Sequence, residues 1–116
     1  MVEVCIFCKI ATGDIPVKRI YENENFFSIF DASPKAEGHS LVISKKHFVN
    51  TIDLDKNLGF ELLDCIQKTA QKIMEEKKAN GFNVINNNFA SAGQVVKHLH
   101  YHIIPRKEGD GIKMLV

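Results

Sequence analysis

The sequence predicts a small α+β domain: about five strands, one long helix and one short helical turn. Three observations carry this. The chain has 116 residues, which at ~100–200 per domain is a single unit, 1–116. Hydrophobic residues make up 45% and charged residues 25%, a globular composition that excludes an intrinsically disordered chain. Extended segments come first, then a helix, then more extended segments, unlike the regular alternation of a doubly wound sheet.

Each element has its own warrant. Cys5–Ala11 reads as a short helical turn. Val17–Tyr21 is extended and follows Gly13-Asp14-Ile15-Pro16, and Phe26–Phe30 follows the polar run Glu22-Asn23-Glu24-Asn25. Leu41–Ser44 follows Asp31-Ala32-Ser33-Pro34 and Gly38. The long helix spans Asp55–Ala79. Its Leu58, Leu62, Ile66, Ala70 and Ile73 recur at helical steps, and Leu63 and Met74 widen the stripe. Asp53 or Asp55 caps its start, Asn80-Gly81 tolerates positive φ past its end, and Glu75–Lys78 is a solvated face. Phe82–Asn87 and, after a turn at Gly93, Lys97–Ile104 complete the strands, the last stopped by Pro105. Residues 106–116 carry two glycines and read as a mobile tail.

Composition also narrows function. A net charge of +1 gives no field favouring nucleic acid or an acidic membrane, so neither is an expected partner. Apolar runs such as Leu41-Val42-Ile43 fall far short of the ~20 residues that span a bilayer. The start, with Glu3, has no basic-then-apolar signal pattern. Three cysteines argue against a disulfide scaffold, so a reduced, cytoplasmic domain is expected.

The five histidines are His39, His47, His98, His100 and His102. On a strand, residues two apart share a face at about 6.6–6.8 Å, so His98, His100 and His102 line one surface while Leu99, Tyr101 and Ile103 face the other. A single strand histidine is ordinarily a half-buried, satisfied residue. Three in alternation repel when protonated, which points to metal binding or catalysis. All three cannot hold one ion, because ligands ~2.0–2.1 Å from zinc lie within ~4 Å of one another.

Cys5-Ile6-Phe7-Cys8 supplies the missing ligands. A CxxC turn aims two sulfurs at one point, and two imidazoles would complete a tetrahedral shell. A redox dithiol is the competitor, but that motif belongs at a strand-to-helix junction within a βαβ unit. His47 ends the Leu41–Ser44 segment and His98 opens the last strand. The predicted centre is therefore structural zinc on Cys5, Cys8, His47 and His98, against two packed thiols and two unrelated histidines. Cys65 reads as core.

His98-Leu99-His100-Tyr101-His102-Ile103-Ile104 resembles the signature of the histidine triad (HIT) family of nucleotide hydrolases and transferases. Cys5-Ile6-Phe7-Cys8-Lys9-Ile10, Gly13-Asp14-Ile15-Pro16, Asp31-Ala32-Ser33-Pro34, Gly38-His39-Ser40-Leu41-Val42-Ile43 and Ala92-Gly93-Gln94 fall in the family's order and spacing. The resemblance covers nearly the whole chain. It implies a HIT-like fold: a five-stranded antiparallel sheet with helices on one face, two subunits pairing into a homodimer-wide sheet.

The resemblance also implies roles. His100 would be the nucleophile on the α-phosphorus, forming a nucleotidyl-histidine that water hydrolyses; an unprotonated Nε2 then requires an acceptor for Nδ1–H. His102 would lie on the phosphate side as a donor, and His39 would support the triad from behind. Asp31 matches a ribose-binding acid, although an Asp before Ser-Pro also forms turns. Asn87 matches a ribose–phosphate position, or shapes a turn. Gly93, Gln94 and Val95 belong to a phosphate-facing loop; Ile6, Phe7 and Ile15 line a base pocket or simply pack. Val95 departs from the family's pattern, which has a hydroxyl residue there in many members, so donation to the leaving group is in doubt.

The implied activity is hydrolysis of purine nucleoside 5′-phosphoramidates of the AMP-amine type, with AMP or GMP as the bound nucleotide and no catalytic metal or organic cofactor. Val96-Lys97-His98 and Pro105-Arg106-Lys107 look more like the dinucleoside polyphosphate hydrolases of the same family, whereas Asn87 favours the phosphoramidate branch. A zinc-stabilised nucleotide-binding or interaction module with negligible turnover is the alternative of another class; the retained His100 argues against it.

Overall fold

The computed structural model describes residues 4–113. Its elements are α1 (Ile6–Thr12), β1 (Tyr21–Glu22), β2 (Phe26–Phe30), β3 (Ser40–Ser44), α2 (Gly59–Lys77), β4 (Gly81–Ile85) and β5 (His100–Arg106). Short 3₁₀ turns lie at Lys56–Leu58 and Ala90–Ala92. The strands form one antiparallel sheet in the order β1-β2-β3-β5-β4. The five strands, the long helix and the short helix agree with the sequence expectation.

The two helices cover opposite faces, which corrects the expectation that both share one. Successive strand residues point to opposite sides. Phe27, Ile29, Leu41 and Ile43 therefore pack with Phe7 and Ile10 of α1, while Phe26, Val42 and Ile103 pack with Cys65 and Ala70 of α2. With both faces covered, β3 is buried along its whole length, as a central strand should be.

Several boundaries shift for identifiable reasons. Of Val17–Tyr21 only Tyr21 pairs in the ladder, with Ile20 adding one bond to Ser28. Arg19 instead donates to the carbonyls of Ile10 and Ala11 at 3.0 Å each and lies 4.4 Å over the Phe27 ring. Asp55 caps the 3₁₀ turn through Asn57 N–H, and the α-helix proper begins at Gly59. That helix ends on Lys78, which takes the left-handed conformation expected of Asn80-Gly81; Gly81 already opens β4. Leu63, assigned to the apolar stripe, is exposed.

β5 runs from His100 to Arg106 rather than 97–104, and Pro105 does not stop it. The Arg106 carbonyl accepts from Asn80 on the β4 side. Period two turns the Pro105 nitrogen toward β3, whose pairing ended at Ser40↔Ile103, so no ladder bond is lost. Beyond β5, Asp110 accepts from both Arg106 and the backbone of Lys107 and Ile112, and the adjacent guanidinium holds its carboxyl well below the usual range. Of the segment 106–116 read as a tail, Lys107, Asp110 and Ile112 make these contacts with one another and with Arg106, and 114–116 lie outside the described residues.

Candidate active site and metal centre

The histidines form a row along the α1 face of the sheet. Phe7 packs edge-on against both His98 and His100, at 5.8 and 5.1 Å between ring centres, and His100 meets His102 at 5.2 Å. The expected common face is present. His98, however, lies before the ladder, in the bend that precedes β5.

At one end of the row, Cys5, Cys8, His47 and His98 converge. Sγ of Cys5 is 3.3 Å from His98 Nδ1, and Sγ of Cys8 is 3.2 Å from His47 Nδ1 and 3.5 Å from His98 Nδ1. All four ligand atoms lie within 4.8 Å of one another. Zn–S of ~2.3 Å and Zn–N of ~2.0–2.1 Å at a tetrahedral angle put S and N about 3.6 Å apart, so these donors fit a shared ion. The tautomer fits as well. His98 Nε2–H donates to the Ser44 carbonyl at 2.6 Å, which leaves the Nδ1 lone pair facing the sulfurs. Without a metal, burial and the neighbouring Cys5 push the Cys8 thiol up to about 11.

His100 uses its nitrogens the other way round. Its Nδ1 is 2.6 Å from the His98 carbonyl, so Nδ1 carries the proton and Nε2 keeps its lone pair. The carbonyl is available because His98 lies outside the ladder. The His100 carbonyl, past the end of β4, is taken by Asn86 Nδ2 at 3.0 Å. Asn86 Oδ1 in turn accepts from Asn88 and Thr51, and the Thr51 hydroxyl meets the Tyr101 hydroxyl at 3.0 Å. This network fixes the start of β5. Sequence reasoning missed it: nothing in Asn86-Asn87-Asn88 marks which asparagine turns inward.

At the far end stand Asp31, His39 and His102. The backbone N–H of Lys35 donates to His39 Nδ1 at 2.9 Å. A neutral imidazole has one lone pair, so His39 Nε2 must carry its proton and donate it to His102 Nδ1, 3.0 Å away. His102 Nε2–H is then a donor without a partner among the described residues. Asp31 Oδ2 lies 3.4 Å from His39 Nε2 and 3.9 Å from His102 Nδ1, while its Oδ1 accepts from Ser33 N–H, so the turn reading of Asp31 is realised as well. These three groups cluster closely enough for a metal, but the Lys35 amide already occupies the lone pair that His39 would need. Gly38 makes the placement possible: at φ +89° an added Cβ would lie 2.8 Å from Ile73 and 2.9 Å from Lys77.

Burial disfavours the charged form at three of these histidines, His39, His98 and His102. It pushes His98 and His102 down to about 4, helped for His102 by His100 and His39, and it lowers His39 against the pull of Asp31.

The remaining predicted residues divide. Asn87 is half-buried, and its amide nitrogen lies 3.7 Å from where a Cβ on Gly93 would stand; Gly93 itself has φ +94°. Gln94 serves the loop: Oε1 accepts from Phe89 N–H, and Nε2 donates to the Val49 and Val96 carbonyls. Phe7 is buried and Ile15 packs beside it, whereas Ile6 is exposed; the three do not form one surface. Val95 is 89% exposed. Phe89, which the sequence reading passed over, holds φ 72° and ψ 156°, a region otherwise nearly reserved for glycine, and it is clamped there by Gln94.

A sheet with one buried histidine row, offering a free imidazole nitrogen beside an N–H donor and a Cys₂His₂ cluster, defines a histidine-triad protein. The HIT domain family model matches residues 12–109, and the chain belongs to that family. A protein named hit from Bacillus subtilis is 44% identical over 110 residues, covering 94% of this chain and 76% of that one. An adenosine 5′-monophosphoramidase of Candida albicans is 34% identical over 108 residues, covering 90% and 71%. A zinc-bound histidine triad family protein from Mycobacterium smegmatis superposes with a TM-score of 0.88 at 39% identity, covering 95% and 80%.

Proposed function

We propose that this protein hydrolyses nucleoside 5′-phosphoramidates through a covalent intermediate on His100. The observation that carries the reading is the 2.6 Å contact of His100 Nδ1 with the His98 carbonyl, which turns a lone pair at Nε2 toward the site. Nε2 attacks the α-phosphorus and forms an N–P bond. The P–N bond to the amine breaks, and the amine departs with the electron pair and takes up a proton. Water then attacks phosphorus, releasing the nucleoside monophosphate and neutral His100. His102 Nε2–H, poised by His39, donates to a phosphate oxygen as charge builds. Asp31 holds the ribose and Asn87 the ribose–phosphate. Relatives named adenosine 5′-monophosphoramidases support the substrate class.

Zinc on Cys5, Cys8, His47 and His98 is the resident metal in this reading and does structural work, tying α1 to the segments after β3 and before β5. It is supported by the ligand distances, the His98 tautomer and the zinc-bound relative. A reduced cytoplasmic setting suits such thiolates. The edge of β4, at the end of the sheet and carrying the exposed Phe82 and Val84, is the proposed surface for a homodimer-wide sheet. The test of the chemistry is acid-free quenching of turnover with adenosine 5′-phosphoramidate, followed by mass spectrometry. An adenylyl group on His100, absent in His100→Ala, is expected; rapid turnover with no modified histidine at any quench time overturns the covalent route.

A further inference from the structure

The ladder between β4 and β5 closes at Ile85↔His102, so the His100 carbonyl lies beyond the last strand residue that could pair with it. His100 is buried, and a buried carbonyl needs a donor. Asn86, one residue past β4, supplies it from its side chain at 3.0 Å. That amide has a single orientation. Asn88 Oδ1 accepts from the main-chain N–H of Thr51 at 2.8 Å, which turns Asn88 Nδ2 onto Asn86 Oδ1 at 2.7 Å. The Thr51 hydroxyl donates to the same Oδ1 and accepts from the Tyr101 hydroxyl at 3.0 Å. With two donors already on its oxygen, Asn86 has only Nδ2 to offer the His100 carbonyl.

Thr51 comes from the segment after β3, and that segment also holds the other side of His100. The peptide unit joining His98 to Leu99 gives its carbonyl to His100 Nδ1 and its N–H to the Phe48 carbonyl at 2.7 Å. Phe48–Thr51 therefore grips the chain twice, directly at Leu99 and through Asn86 at the His100 carbonyl. We infer that Asn86, oriented by Thr51 and Asn88, is a positioning residue for His100: it fixes the main chain from which the ring reaches phosphorus. This rests on the covalent reading and adds to it the residues that aim the proposed nucleophile. A shift of the His100 backbone would stretch the 2.6 Å contact at Nδ1 and swing Nε2 off the line of attack. Misplacement by about 1 Å costs on the order of 100-fold in rate.

The experiment uses variants that keep shape and change one hydrogen bond. Asn86→Asp retains both accepted bonds but sets a carboxylate oxygen against the His100 carbonyl. It should lower kcat for adenosine 5′-phosphoramidate by about 10- to 100-fold, with KM and calorimetric AMP affinity within about threefold. Thr51→Val, at an exposed position, should show the same split at about three- to tenfold, and Thr51→Ser, which keeps the hydroxyl, should recover most of that loss. A wild-type kcat in Asn86→Asp overturns the inference. So does a joint fall of kcat, AMP affinity and melting temperature, the mark of general damage. If Asn86→Asp fails to fold, the Thr51 pair decides, and a wild-type kcat in Thr51→Val overturns it. Nitrogen-15 spectra of the imidazoles, recorded where they are neutral, give a readout independent of turnover. Wild-type His100 should carry its proton on Nδ1, and the Asn86→Asp or Thr51→Val variant should mix the two tautomers. If the wild type cleaves no phosphoramidate, the catalytic reading fails; unchanged His100 nitrogen shifts in the variants then overturn the positioning role as well.

Discussion

His98 and His100 are two residues apart, both buried, and both anchored by a main-chain carbonyl at 2.6 Å. They nevertheless present opposite nitrogens. His98 gives its Nε2–H to Ser44 and turns Nδ1 toward two sulfurs, while His100 gives its Nδ1–H to His98 and leaves Nε2 free. The difference lies in which carbonyl is unpaired nearby. One residue type thus turns either Nδ1 toward two sulfurs or Nε2 toward open space, by the geometry of a single acceptor.

The sharpest way to break this comparison is to remove the proposed nucleophile, His100. His100→Ala should lower kcat by several orders of magnitude, since the one-step attack by water lacks the covalent route, while nucleotide affinity stays within about tenfold. Steady-state kinetics and calorimetric titration with AMP check this; near-normal turnover would place the chemistry elsewhere. Cys8→Ser should behave in the opposite sense. Structural zinc in small motifs is worth roughly 10–16 kcal/mol of apparent binding free energy, so the variant should lose metal by elemental analysis and melt well below the wild type. A metal-free wild type with Cys8→Ser melting unchanged would return the cluster to packed thiols.

A third comparison uses pH. His102 is held at about 4 in the fold, against an ordinary value near 6.5. Between those values the unfolded chain binds more protons than the folded one, so this contribution to stability is complete above pH ~6.5 and is lost as pH falls toward 4. Urea midpoints measured from pH 7.5 to 4 should fall through that window, less steeply for His102→Asn. A slope identical in the two proteins would show that His102 titrates normally.

The smallest effect concerns Val95, which has no proton to give a departing amine. Val95→Ser should raise kcat/KM for adenosine phosphoramidate several-fold and raise diadenosine triphosphate cleavage less, because an anionic leaving group needs charge stabilisation rather than a proton. A dinucleotide preference that survives the serine would move the protein to the other branch and leave the His100 chemistry intact.

Periodicity and spacing, both local properties, determined a good deal. Alternation put His98, His100 and His102 on one face, CxxC brought two sulfurs together, and the helical repeat of Leu62, Ile66, Ala70 and Ile73 placed the long helix. The same reasoning failed where a residue's role depends on a partner distant in sequence. Pro105 continues a strand because β3 has already ended beside it. Leu63 is exposed although its spacing fits the stripe. Nothing in the sequence says that Asn86 rather than Asn87 takes the His100 carbonyl, or that Gln94 spends its amide on Phe89 and Val49. The tautomers were decided by tertiary structure alone. A proton on an imidazole goes where a single acceptor or donor stands within about 3 Å, and Ser44, the His98 carbonyl and the Lys35 amide reach those positions only when the sheet, the Asp31–Gly38 turn and the bend before β5 have closed around the histidine row.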